Sequence, residues 1–208
     1  FVTKLTKKFD YENLTNNPTK DVINLNGPRL GFVIYTGKNA EYIKDDKGNG
    51  GFAAFPMMFQ FGYQFEKQYL NEGNFQALFE FIPMVTGLDQ GFFIPSVTIL
   101  HGLRNNKNGF EFAFGPTFGV NTVAEGYEEN GVWITKRSDN FNPEFNTHER
   151  LDSRGNPKLI TGFIFAFGKT FKSGKLNIPV NAWVRPDKNG FFAGVSFGFN
   201  ARKVRPML

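Results

Sequence analysis

From Arg29 onward the large apolar residues of this chain fall on every second position, and that alternation constrains the fold more than any other feature. Between residues 54 and 66, Phe55, Met57, Phe59, Phe61, Tyr63 and Phe65 alternate with Met58, Gln60, Gly62, Gln64 and Glu66. Successive side chains of a β-strand point to opposite faces, so this run reads as a strand with one aromatic and one polar face.

Eight such runs are expected: 29–36, 54–66, 74–85, 92–104, 109–121, 159–171, 175–185 and 191–200. The first places Leu30, Phe32 and Ile34 on one face. The third sets Phe75, Ala77, Phe79 and Phe81 against Gln76, Leu78, Glu80 and Ile82. The fourth is the least decided, with Phe93, Val97, Ile99 and Leu103 opposed to Ser96, Thr98 and Gly102. The fifth opposes Phe110, Phe112, Phe114, Phe118 and Val120 to Glu111, Ala113, Gly115, Thr117, Gly119 and Asn121. In the second, third, fifth, sixth and eighth runs every Phe except Phe192 lies on one face.

The chain carries 27 Phe in 208 residues, yet its mean hydropathy is −0.33. A ring of eight strands has an interior only wide enough for side chains to fill it. It cannot enclose so many rings of roughly 150–250 Å² each. The small, Gly-rich face therefore suits the interior, and the aromatic face must point outward, into lipid. A closed barrel pairs its backbone groups without leaving an edge, as a lipid environment demands. The expected fold is all-β, an eight-stranded antiparallel up-and-down transmembrane β-barrel. No run approaches the roughly 18–20 apolar residues of a spanning helix, but a spanning strand needs only about 9–11 alternating residues.

The connections agree. Residues 37–53 and 122–158 form the two long links, and both leave the same end of an up-and-down meander. Outer-membrane barrels place longer loops outside and short turns in the periplasm. Both termini are then expected in the periplasm, with 1–28 as an N-terminal segment, 29–200 as the barrel, 122–158 as a long extracellular loop and 201–208 as a tail. Pro56, Pro83, Pro95, Pro116 and Pro179 fall within the expected strands, where proline withholds a ladder donor.

These runs, the loop asymmetry and the final aromatic strand, Phe191-Phe192-Ala193-Gly194-Val195-Ser196-Phe197-Gly198-Phe199, resemble the small, eight-stranded porin-like outer-membrane barrel proteins of Gram-negative bacteria. The Asn-, Lys- and Phe-heavy style is similar to proteins of the Bacteroidota. The resemblance covers roughly residues 27–200 and implies a fold and a location, the outer membrane, rather than an activity. Members commonly end on an aromatic residue that resembles the signal for barrel assembly. Here Phe199 is followed by Asn200 to Leu208, which suits a short periplasmic tail or a partner contact.

Signatures of chemistry are sparse. There is no Cys, and CxxC, HExxH, GxSxG and phosphate-loop patterns do not occur. Of two His, His101 falls on the lipid-facing side of the fourth run, five residues from Ser96 and on the opposite face. His148 sits in the long loop beside Glu149, Arg150 and Asp152. Asp45 to Gly51 offers oxygen ligands among glycines but lacks the spacing and the closing Glu of a calcium loop, so it reads as a polar turn. No cofactor or metal is expected. The net charge of +5 is spread over turns and tails, which argues against nucleic acid as a partner.

Two groups of residues stand out as candidates. Inward-facing Glu66, Glu80 and Glu111 call for pairing with Arg104, Arg185 or lysines, since buried charges need partners. Such a network would plug the interior, with a proton or ion path as the alternative. Tyr127, Trp133 and Phe141 make the long loop a candidate partner-binding segment, because a link of that length exceeds a bare connector. The expected role is structural or one of interaction, as an accessory subunit of a larger envelope complex. Its partners would be outer-membrane lipid and other outer-membrane or periplasmic proteins. The alternatives are a lipid-modifying barrel enzyme centred on His101 or His148, and a soluble lipid-binding barrel.

Overall fold

A computed structural model describes residues 16–18, 23–174 and 176–201. The chain runs through β1 (Asn16–Pro18), β2 (Gly27–Tyr35), helix α1 (Gly37–Lys44), β3 (Met57–Gly73), β4 (Phe75–Thr86), β5 (Ile94–Asn105) and β6 (Phe110–Glu129). It continues through β7 (Val132–Thr135), β8 (His148–Leu151), β9 (Asn156–Ser173), β10 (Leu176–Asp187), β11 (Gly190–Gly198) and β12 (Asn200–Ala201). Each of the eight expected strands is present.

The eight long strands pair antiparallel in chain order, β2-β3-β4-β5-β6-β9-β10-β11, and β11 returns to β2 to close the ring. The closing pair aligns Val195 with Phe32 and Phe192 with Tyr35. The turns about Asn74, Lys107 and Gly174 lie at one end, here the lower. The two long segments, 36–56 and 130–155, lie at the other, the upper, together with the shorter links 87–93 and 188–189.

Alternation sorts the residues as the sequence predicts. Phe61, Phe79, Phe110, Phe163, Phe165, Phe167 and Phe191 are exposed on the outside, and Phe192 is buried within. The inward face is rich in glycine because the lumen also holds large side chains. A Cβ on Gly194 would meet the Trp183 ring at 2.5 Å, and one on Gly162 would meet the Arg185 side chain at 2.6 Å. The fourth strand resolves as follows: Thr98, Leu100, Gly102 and Arg104 are buried inside, and Ile99 is exposed.

The prolines are accommodated at breaks in pairing. The β3–β4 ladder passes from Gly62–Met84 to Phe65–Phe81 without a step at Pro83. The β5–β6 ladder passes from Thr98–Thr117 to His101–Phe114 without a step at Pro116. Pro56 precedes β3 rather than lying in it.

Three features depart from the sequence reading. β3 and β6 run on to Gly73 and Glu129, past the expected ends at 66 and 121, with a bulge between Gln68 and Leu70 in β3. The first long link folds into α1, which lays Ile43 and Asn39 onto the upper mouth. The 1–28 segment is not wholly an outside lead-in: Ile23 and Leu25 are buried, β2 begins at Gly27, and β1 pairs parallel with Asn71–Gly73. Residues 1–15, and the 202–208 part of the expected tail, lie outside the described residues.

Candidate functional site

The lumen has a charged floor, an apolar middle and an apolar roof. The floor is built by strand register. Glu66 faces Glu80 across β3 and β4, and Arg104 faces Glu111 across β5 and β6. Two carboxylates directly opposite one another repel. Arg104 answers them from the neighbouring strand: its Nη1 and Nη2 donate to Glu66 Oε1 and Oε2 at 3.0 and 2.6 Å, and its Nε donates to Glu111. Glu80 lies 3.7 Å from Arg104 and accepts a hydrogen bond from Gln64 Nε2 at 2.7 Å. The expected network of Glu66, Glu80, Glu111 and Arg104 is therefore one cluster.

Arg185 does not belong to it. Parity does turn Arg185 inward, but it stands nine residues above Leu176 on β10, which at about 3.3 Å per residue is about 30 Å up the strand. Its guanidinium lies over the Phe192 ring at 3.8 Å, and Phe192 packs edge-on against Tyr35 at 4.9 Å. The second luminal guanidinium at the floor is Arg29. Its Nε donates to Gln64 Oε1 at 2.6 Å, so Gln64 bridges Arg29 to Glu80. The signal for Arg29 was available: it shares parity with inward Gly31 and Val33.

Below the cluster the chain closes the lumen with its own backbone. The Ile23 carbonyl accepts from Gln68 Nε2 at 2.5 Å and from Gln76 Nε2 and Arg104 Nη1 at 3.3 Å each. The Ile23 N–H donates to Asn106 Oδ1. A buried carbonyl needs such partners, and these fix the segment as a plug.

Above the cluster, Leu100, Ala113, Ile164 and Ala166 form an apolar belt, with Ile82 and Trp183 against it. A cavity of about 120 Å³ opens there, reaching down to Arg29, Gln64 and Glu80. Val33, Tyr35, Met58 and Phe192 cluster with Ile43 of α1 to form the roof.

The two long upper segments lock together over the mouth. Arg150 Nη2 donates to the Asn49 carbonyl at 2.7 Å, Arg154 Nη1 to the Gly48 carbonyl at 2.8 Å, and the Ser153 N–H to the Gly50 carbonyl at 2.9 Å. Those carbonyls belong to the Asp45–Gly51 stretch, which is a polar turn whose oxygens bind protein donors. Asp152 is buried and accepts from Trp133 Nε1 at 2.9 Å. Arg150 stacks between Trp133 and Tyr42, 4.3 and 4.7 Å from their centroids. Burial lowers the Arg150 pKa.

This packing corrects the candidate partner-binding trio. Tyr127 and Trp133 are buried: Tyr127 stacks on Phe145 at 4.6 Å and tilts against Phe141, and Trp133 is held by Asp152. These rings are spent on holding the loop together because two strands and an antiparallel flap, β7-β6-β8, give it a small core of its own. The exposed apolar residues of the cap are instead Val132 and Phe145.

His101 lies on the outside of β5, hydrogen-bonded to Tyr69 and ringed by Phe79 and Phe114. Ser96 lines the lumen on the other side of the wall. His148 rests on the Trp133 ring at 5.0 Å. No group of three or more His, Cys, Asp or Glu suited to a metal occurs among the described residues. Comparison with known protein families, curated proteins and solved structures finds no match to this chain.

Proposed function

We propose that the chain is an integral outer-membrane β-barrel without an open pore, with a structural or interaction role as an accessory subunit of a larger envelope complex. One observation carries the membrane reading. Large rings are exposed all round the ring of strands, including Phe61 on β3, Phe79 on β4, Phe110 on β6, Phe167 on β9 and Phe191 on β11, at 48–64% of their surface. Monomeric proteins in water rarely expose contiguous apolar patches beyond a few hundred Å². A lipid solvent turns the same surface from a liability into the driving force for insertion.

The closed interior supports the absence of a pore. The Ile23 plug, the ion cluster, the apolar belt and the α1 roof fill the lumen in four successive layers. The loop asymmetry supports a cap that faces outward and termini in the periplasm. The interaction role rests on the cap, a hydrogen-bonded platform that presents Val132 and Phe145.

The test is fractionation of the native host followed by purification in mild detergent. Recovery with the outer membrane together with stoichiometric envelope proteins is expected. A lone barrel in that fraction would remove the accessory role, and a wholly soluble chain would remove the membrane reading.

A further inference from the structure

The cavity is chemically asymmetric. Its lower wall contains a guanidinium, Arg29, that is 2% exposed and whose Nη1 and Nη2 have no hydrogen-bond partner among the described residues. Glu80 lines the same cavity. Arg104 spends its close contacts on Glu66 and Glu111, leaving Glu80 at 3.7 Å. The floor as a whole sets Glu66, Glu80 and Glu111 against Arg29 and Arg104, one carboxylate in excess. So the cavity is bordered by an unpartnered cationic fork and by a carboxyl group that no cation approaches closely, joined by the Gln64 amide that bonds to both. The rest of its lining carries an apolar wall, Leu100, Ile164, Ala166 and Trp183, beside polar residues that include Thr98, Thr117, Asn181 and Arg185.

We propose that this lumen binds a small zwitterion, a free α-amino acid with a short apolar side chain. Its carboxylate takes the Arg29 fork in bidentate fashion, its ammonium faces Glu80, and its side chain lies against the apolar wall. A simple carboxylate would answer the Arg29 fork and leave Glu80 without a close cation. A simple amine would leave the buried fork empty, and an unpaired buried charge is costly. A zwitterion meets both needs and adds no net charge. The volume sets the size: an apolar cavity of about 150 Å³ accepts benzene, with six heavy atoms. The cavity here is about 120 Å³, and alanine also has six heavy atoms.

The site does not depend on what surrounds the barrel, so its failure and that of the membrane reading are separate results. The test uses the full folded chain in detergent, titrated with L-alanine, propionate or ethylammonium while thermal unfolding is followed. Alanine is expected to raise the midpoint progressively with its concentration, as any ligand of the folded state does. Propionate and ethylammonium should fail to do so, and Arg29→Gln should abolish the shift. Ala166→Leu, which fills the cavity and leaves every charge in place, should abolish it too, and this serves if Arg29→Gln does not fold. Absence of any shift with alanine, an equal shift with propionate or ethylammonium, or a shift that survives Ala166→Leu would overturn the proposal.

Discussion

Arg104 presents both terminal nitrogens to the two oxygens of Glu66, at 3.0 and 2.6 Å, with both side chains entirely removed from solvent. It also reaches Glu111 through Nε and the plug through the Ile23 carbonyl. One side chain thereby joins β3, β5, β6 and the segment that seals the lower end. It acts as a cross-brace in a lumen too narrow for a conventional apolar core.

Arg104→Met therefore strands Glu66, Glu80 and Glu111 without their shared cation. Breaking a buried pair from one side costs about 3–5 kcal/mol. Unfolding in urea should show a loss of that order. Pairing Arg104→Met with Glu66→Leu should recover part of it, since one stranded charge is then gone. Equal losses in the single and double variants would show that the cluster is not the brace described.

Asp152 plays the corresponding part in the cap, where it is fully buried and accepts from Trp133 Nε1 and from Arg154. Asp152→Ala leaves a buried indole N–H unsatisfied, at a cost of about 1–3 kcal/mol. The loss should stay local, because the cap is joined to the ring mainly through β6 and the 45–51 turn. Limited proteolysis should cut faster within 130–155 while the unfolding midpoint of the barrel holds. Unchanged cleavage would contradict the latch.

The eight strands were legible because the barrel wall enforces period two at every step, and even Phe192 was marked by parity alone. The extension of β3 to Gly73 was not, since the bulge between Gln68 and Leu70 shifts the phase of the alternation and turns Asn71 inward; that of β6 to Glu129 was not, since beyond the ring neither face meets one uniform solvent and the alternation lapses. Arg29 was legible by parity, yet a basic residue at the head of a strand reads as a terminus until its neighbours are placed. The burial of Tyr127 and Trp133 depends on Phe145, Asp152 and Asn49, which are distant in sequence, so composition marked the loop as aromatic without showing what the rings touch. Arg185 failed for a different reason: parity gives the face of a strand but says nothing about height along it.

The outer band distinguishes lipid from water directly. Phe165 lies near mid-height on β9, opposite Phe114, and Leu159 lies near the upper rim. On a lipid face, Arg costs about 2–4 kcal/mol at the midplane and about 0–1 near the interface. In lipid vesicles Phe165→Arg should destabilise by the larger amount and Leu159→Arg by the smaller. A barrel surrounded by water would show no such dependence on height.

The flap carries a pH-sensitive clasp. Glu125 accepts from Lys136 Nζ at 2.7 Å and from the Thr147 hydroxyl at 2.6 Å, tying β6 to the two sides of the cap. The hydrogen bond from Lys136, followed by that from Thr147, holds the Glu125 carboxyl below its ordinary value. A carboxyl depressed in the folded state contributes stability in full above its unfolded value, about 4.3, and loses it as pH falls through the folded value. The group is open to solvent, so the global effect is small and salt-sensitive. The local effect is readable: the Glu125 side-chain carboxyl should titrate by NMR below the ordinary range, and Lys136→Gln should move its midpoint up toward that range. Since Thr147 remains as a donor in that variant, the return should be partial, and Lys136→Gln with Thr147→Val should complete it. A midpoint unmoved by either change would mean that the clasp is not formed in solution.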